Sequence, residues 1–231
     1  MDDQFRAFGK AVVEPYAHEW HLKDELIPDS VVKQMGEMGV FGLTIPEEFG
    51  GLGLGKTSMC VVSEELSRAY IGVGSLGTRS EIAAELLLCG GTRAPQEKYL
   101  PGIANGSLRL QAFGVSEPTS GTDTLSLRTV AVRDGDEYVI NGQKIWTSRI
   151  EHSDLLLLLA RTTPRDQVAK KTDGLSVFLV NVNDALGNGL TIRPIETMMN
   201  HSTTEVFFED MRVPAANLIG EEGQGFKYIL S

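Results

Sequence analysis

Along residues 1–108 the apolar positions recur at steps of three and four. Phe5, Phe8, Val12, Tyr16 and Trp20 line one stripe, which predicts a helix kinked at Pro15. A second predicted helix opens at Asp29 or Ser30, either of which can cap it. It carries Val31, Met35 and Met38 on its apolar side and stops at Gly39. Longer helices are predicted over 57–70 and 76–88, with a shorter one after Thr92, so this region reads as a helical bundle.

After Asn105-Gly106 the period falls to two, and β-branched and aromatic residues become common. Segments 128–133 and 137–140 predict a hairpin about Asp134-Gly135, a pair suited to a type I′ turn. Further strands are predicted over 155–160, 175–180, 190–195 and 205–208, while the charged stretch 163–173 reads as a solvated loop. From residue 221 another helix begins, with Phe226, Ile229 and Leu230 on one side and no C-cap after them. The expected class is α+β: a helical bundle over 1–108, an antiparallel β-barrel or sandwich over 109–219, and the start of a second helical domain over 220–231 whose remainder is expected beyond the chain.

Composition narrows the function. With 231 residues, 42% hydrophobic and 23% charged, the chain can bury two modest cores and does not read as disordered. A net charge of −10 argues against a nucleic-acid partner, yet leaves room for a local basic patch that binds an anionic ligand. Cys60 and Cys89 lack CxxC spacing and are expected as buried, reduced thiols, which suits a reducing, cytoplasmic setting. His18, His21, His152 and His201 form no HExxH pattern, so no metal site is expected. The acidic start has no apolar run behind it, and the aliphatic run 155–159 is far short of the ~20 residues that cross a bilayer, so neither a secretory signal nor a membrane span is expected.

One motif points elsewhere. Gly50-Gly51-Leu52-Gly53-Leu54-Gly55-Lys56-Thr57 satisfies the G-x-x-x-x-G-K-[ST] pattern of a phosphate-binding P-loop. Its context opposes an NTPase: Pro46-Glu47-Glu48-Phe49 stands where a buried strand should enter, and two carboxylates would face the phosphates.

The most informative stretch runs from residue 113 to 148. A loop rich in small residues, Val115-Ser116-Glu117-Pro118-Thr119-Ser120-Gly121-Thr122-Asp123, can bring amide N–H and hydroxyl groups close to a flat polar ligand. Lys144-Ile145-Trp146-Thr147-Ser148 then sets an aromatic wall beside a hydrogen-bond donor. Singly, a loop of this kind is a turn and a lone Trp is core. Together, in order with Asn141-Gly142-Gln143-Lys144, His201-Ser202-Thr203-Thr204-Glu205-Val206 and Val213-Pro214 before the Gly-rich 220–226 run, they resemble the acyl-CoA dehydrogenase family. The resemblance covers the whole chain.

It implies FAD as cofactor and oxidation of an acyl-CoA thioester between its α and β carbons. The residues implied at the flavin are Phe113, Gly114, Val115, Ser116, Gly121, Thr122, Trp146, Thr147 and Ser148, with Thr122 also reaching the CoA ligand. Trp146 would pack by the ring and Ser148 would hydrogen-bond near N5. The sequence departs from the family's usual pattern at Phe113, commonly tyrosine, and at Ser148, commonly threonine. By the same resemblance Gly74, Thr78 and Ile82 line the acyl pocket. The run 76–83 is similar to the methylsuccinyl-CoA dehydrogenase branch, with Arg79 as a counterion for a carboxylated acyl group or, alternatively, a surface residue paired with Glu81. The family's catalytic glutamate is expected beyond Ser231, not at Glu221 or Glu222, so no catalytic residue is assigned within the chain, and the chain alone is expected to be inactive. An electron-transferring flavoprotein is the implied acceptor and a homo-oligomer the implied assembly. The alternative is a non-catalytic FAD- or CoA-binding relative, or an interaction module on the same scaffold.

Overall fold

The computed structural model describes residues 2–198 and 202–230. It divides into two compact units, one comprising Met1–Glu85, Gln96–Arg109 and Thr197–Ser202, the other Leu86–Pro95, Leu110–Glu196 and Thr203–Ser231.

In the first unit, helix α1 (Asp2–Phe8) buries Phe5 and Phe8, and α2 (Glu14–Leu22) buries Trp20. Between them the backbone widens into a π-helical turn, Gly9–Val13, just before Pro15. The kink expected at Pro15 is taken up there, because a proline cannot donate to the turn before it and a wide turn absorbs the missing bond. Helix α3 (Asp29–Glu37) starts from Pro28 without a side-chain cap, so neither Asp29 nor Ser30 caps it. Asp29 lies inside the first turn, where a carboxylate suits the helix dipole, and pairs with Arg109 at 3.0 Å.

Helix α4 (Lys56–Ala69) buries Met59, Val62 and Leu66. Cys60, one position off that stripe, points about 100° away from it and is exposed, and Cys89 is exposed as well. The expectation of buried thiols fails at both. Helix α5 (Ile71–Gly90) begins earlier than its periodicity predicts, taking in Gly72 and Gly74, and α6 (Arg93–Ala104) follows. Glycine disfavours a helix, but packing prevails: a Cβ on Gly74 would lie 1.9 Å from Ser67 Oγ and 2.8 Å from Ser67 N. Arg6 makes a two-pronged pair with the buried Glu65 at 2.7 and 2.9 Å.

The P-loop motif does not form a phosphate cradle. The amide N–H groups of Leu52, Gly53 and Leu54 donate to the carbonyls of Gly42, Ile45 and Leu43 at 2.8, 2.9 and 2.8 Å. Lys56 Nζ lies 3.3 Å from Glu85, and a 3-10 turn, Glu47–Phe49, rather than a strand leads into the loop. The donors a phosphate would need are already committed.

The second unit is a mostly antiparallel sheet. Strands β1 (Ala112–Gly114), β2 (Val130–Asp134), β3 (Glu137–Ser148), β4 (Leu155–Arg161), β5 (Leu175–Asn181), β6 (Leu190–Pro194), β7 (Thr203–Pro214) and β8 (Leu218–Ile219) run in the order β6-β7-β3-β2-β4-β5-β8, with β1 parallel on β4. The β2–β4 joint is a single parallel pair, Val130 with Arg161. The halves on either side of it share one core, including Tyr138 and Ile140 from β3, Leu156 and Leu158 from β4, Phe178 from β5, and Val206 and Phe208 from β7. The expected barrel or sandwich is therefore one continuous sheet folded over its own core. The hairpin turn falls one residue later than Asp134-Gly135: Asp134 pairs with Glu137, and Gly135, at φ 63°, is the first of two loop residues. Positive φ at the first position only is the type II′ pattern, not I′. No helix among the described residues is long and apolar enough to cross a membrane.

Gly74→Ala should destabilise the protein by roughly 1–3 kcal/mol, since the methyl must displace Ser67. Gly121→Ala, with nothing within 4 Å of its added carbon, should stay within about 0.5 kcal/mol of wild type. Urea unfolding of both variants checks the contrast.

Candidate functional site

Strand β1 delivers Phe113 and Gly114 beside β4, and the chain then enters the 115–123 loop. Gly114 lies close over its neighbours: a Cβ there would meet Leu158 Cδ1 at 3.1 Å and Lys144 Cγ at 3.4 Å. Pro118 and Thr119 form a tight turn closed by two bonds between Glu117 and Ser120, each 3.0 Å. Gly121 and Thr122 are exposed beyond it. The loop is tied to β3 twice more. The Ile145 N–H donates to the Ser116 carbonyl at 2.9 Å, and Lys144 Nζ donates to the Val115 carbonyl at 3.1 Å.

Lys144 is fully buried, 2.8 Å from Glu117. Glu117 also accepts from the Arg128 N–H at 2.6 Å, the Thr129 N–H at 2.9 Å and the Thr129 hydroxyl at 2.6 Å. Gly142 makes room for this cluster. Its φ is 149°, and a Cβ would fall 2.6 Å from Thr129 Oγ1. Burial by itself would raise the Glu117 carboxyl, but Lys144, Thr129 and the Arg128 amide outweigh it and hold the carboxyl below its ordinary value. Burial pulls the Lys144 ammonium down to about 8, with Glu117 resisting. At neutral pH the pair is ionised.

The next residues of β3 change face. Lys144 pairs with Val206 and Thr147 with Thr204, so Ile145 and Trp146 together oppose Glu205. This β-bulge shifts the inside-outside alternation by one. Tyr138, Ile140 and Lys144 point inward, whereas Trp146 is 59% exposed, Thr147 is buried and Ser148 is half-buried. Trp146 has φ 62°, a left-handed conformation that a bulky residue adopts at a cost of about 1–3 kcal/mol. Arg149, three residues on, shares φ 62°. Strain of this kind marks a place where the orientation of one side chain matters more than local backbone comfort.

The structure thus brings Val115, Ser116, Trp146, Thr147 and Ser148 together. The Ser116 and Ser148 hydroxyls form no hydrogen bond among the described residues, and Thr147 Oγ1 is buried without a partner. Of the residues expected at the acyl group, Gly74, Thr78, Arg79 and Ile82 all lie on α5 in the other unit. Gly74 faces Ser67, Ile82 is half exposed, and Thr78 lines a cleft of about 480 Å³ with Met59, Cys60, Ser63 and Ser67. Burial lowers the pKa of Arg79. Glu222 is engaged in the β unit, accepting from the Tyr138 hydroxyl at 2.5 Å. His201 lies outside the described residues, while Thr204 of the same motif donates to the Thr147 carbonyl at 2.7 Å.

Sequence reasoning named Lys144 and Glu117 only as parts of a pattern, and missed Thr129. The signal was present: Lys144 stands at even spacing from Tyr138 and Ile140, which assigns it to the core side, and a core lysine requires a buried carboxylate.

Comparison with known proteins identifies the family. The acyl-CoA dehydrogenase N-terminal domain matches residues 1–107, and the acyl-CoA dehydrogenase middle domain matches residues 112–211. A (2S)-methylsuccinyl-CoA dehydrogenase of Cereibacter sphaeroides is 51% identical over 99% of this chain and 42% of its own length. A short-chain specific acyl-CoA dehydrogenase of Clostridium acetobutylicum is 36% identical over 96% of this chain and 57% of its own. The crystal structure of an acyl-CoA dehydrogenase from Geobacillus kaustophilus aligns with a TM-score of 0.90 at 33% identity, over 99% of this chain and 59% of that one. The chain belongs to the acyl-CoA dehydrogenase family and spans about half the length of the relatives it matches. Members of the family use FAD. The residues present fit such a group: an exposed indole on the strand tied to the Ser116 loop, with the Ser148 and Ser116 hydroxyls unpartnered among the described residues, suits a ring that is flat with a polar edge.

Lys144→Met should lower stability by roughly 3–5 kcal/mol at neutral pH, because it strands the Glu117 charge. A pH series adds a signed test. The folded pKa of about 8 lies below the ordinary 10.5, so between those values the unfolded chain binds more protons and stability contributed by this group rises with pH. The gap between wild type and Lys144→Met should therefore widen from pH 8 to 10.5.

Proposed function

We propose that this chain forms the flavin-gripping and part of the acyl-binding surface of an FAD-dependent acyl-CoA dehydrogenase. The observation that carries this reading is Trp146, held left-handed on a bulge with its ring exposed beside Ser148 and the Ser116 loop. When bound, FAD would supply the redox chemistry of acyl α,β-dehydrogenation. The protein's residues bind and orient. Trp146 offers a face to the ring, Ser148 a hydroxyl near N5, and Phe113, Gly114, Val115, Thr147 and Gly121 shape the loop and strand around it. Thr122 reaches toward the CoA ligand. No carboxylate of this chain is assigned as the base that removes the α proton, and Glu222 is held by Tyr138.

Gly74, Thr78 and Ile82 serve the acyl end in this reading; the likeness of the run 76–83 to the methylsuccinyl-CoA dehydrogenase branch favours a short, branched or carboxylated acyl group, with Arg79 as the counterion of a carboxylate. The 51% identical relative is a methylsuccinyl-CoA dehydrogenase, and a guanidinium is the side chain best suited to a carboxylate. The proposed electron acceptor is an electron-transferring flavoprotein, the proposed assembly a homo-oligomer, and the proposed setting cytoplasmic.

Titration with FAD, followed by the visible flavin band, tests the assignment. Trp146→Gly should abolish or greatly weaken binding while fold stability holds or rises by about 1 kcal/mol, since glycine relieves the left-handed strain. Ser148→Ala should weaken binding about 2- to 10-fold, the worth of one hydrogen bond. Unchanged affinity in Trp146→Gly would remove the reading. In the holoenzyme, Arg79→Met should weaken a dicarboxylic acyl-CoA at least tenfold more than a simple one; equal loss would discard the carboxylate assignment.

A further inference from the structure

Glu117 is saturated by four donors, from Lys144, Arg128 and both groups of Thr129. An apolar residue in place of a buried ion pair is often neutral or stabilising, so stability alone is a poor reason for Lys144 to be charged. Its other contact is the Val115 carbonyl. There is no cis peptide bond among the described residues, and in a trans peptide the C=O and N–H point in opposite directions. Drawing the Val115 carbonyl inward therefore turns the Ser116 N–H outward. The following peptide is held as well: the Ser116 carbonyl accepts from Ile145, and the Glu117 N–H donates to the Ser120 carbonyl. Of these two N–H groups, only that of Ser116 has no partner among the described residues.

We propose that Lys144 and Glu117 are a positioning pair for the flavin, holding the Val115–Ser116 peptide so that the Ser116 N–H faces outward as a ready donor to the polar edge of the ring. This rests on the flavin assignment above. Lys144 touches no ligand itself. Glu117 keeps the ammonium in place, and Gly142 keeps Thr129 close enough to orient Glu117. Without the ammonium the Val115 carbonyl would be left unsatisfied inside the protein, so the peptide would turn outward to water and carry the Ser116 N–H inward with it.

The test separates orientation from stability in the full 231-residue chain. Lys144→Met and Glu117→Gln should each lower Tm, whereas the double variant, with no stranded charge, should recover most of that loss. If the pair positions the flavin, the double variant should still bind FAD at least tenfold more weakly than wild type, and the visible band of whatever flavin it binds should lie closer to that of free FAD. Ser116→Ala removes only the hydroxyl and Ser116→Pro removes the proposed N–H donor as well, so Ser116→Pro should bind FAD markedly more weakly than Ser116→Ala. A double variant of recovered Tm with wild-type affinity and an unshifted band would overturn the positioning role and leave the flavin assignment standing. A Ser116→Pro protein that binds FAD as well as Ser116→Ala would also overturn it. A wild-type chain that binds no FAD would defeat both.

Discussion

A lysine buried to the last atom is the constraint about which the β unit is arranged. Removing an ammonium and a carboxylate from water costs several kcal/mol each, and the fold offsets this by enclosing Glu117 in four donors and giving Lys144 a carboxylate and a carbonyl. The partners come from three stretches of chain: the Pro118 loop, the two residues just before β2, and the middle of β3. The ion pair therefore ties together three segments that no local propensity would join. Gly142 belongs to the same requirement, since a side chain there would push Thr129 off the carboxylate.

Immediately after this buried residue the strand does the opposite. A two-for-one bulge reverses the alternation, and within three positions β3 passes from a fully buried lysine to a largely exposed tryptophan. The left-handed backbone at Trp146 is costly for an indole. It persists because the neighbours over-determine it: β7 pairs on both sides of the bulge, Ser116 accepts from Ile145, and Thr204 holds the Thr147 carbonyl. The result is a rigid support beneath a strained, outward-facing aromatic.

The helical unit solves a different problem. Its helices approach through missing side chains, as at Gly74 against Ser67, and its interior charge, Glu65, is met in two-pronged fashion by Arg6. The same economy explains the false P-loop. Glycines there let the chain fold back on residues 42–45 and use up the amides that a phosphate would have needed. A motif defined by glycine and lysine spacing describes a flexible loop; whether its donors face a ligand or their own backbone is settled by what packs beside them.

Much was legible in order along the chain. The change of period after Asn105-Gly106 separated helix from sheet, and the Pro118 loop and Trp146 stood out by their residue types, because periodicity and side-chain chemistry are local properties; the structure ties that loop to the strand carrying Trp146 through Ile145 and Lys144. Other features were not readable in this way. The early start of α5, the II′ turn one residue along from Asp134-Gly135, the exposed cysteines and the uncapped α3 each depend on which neighbour fills the space beside them. The bulge at Ile145-Trp146 is the plainest case. Sequence by itself placed an indole and a hydroxyl two residues apart, but simple alternation would have set Trp146 and Ser148 on the same buried side as Lys144. Only the tertiary structure, by pairing β3 with β7 out of step and committing Lys144 to Glu117, decided that the lysine goes in and the tryptophan comes out.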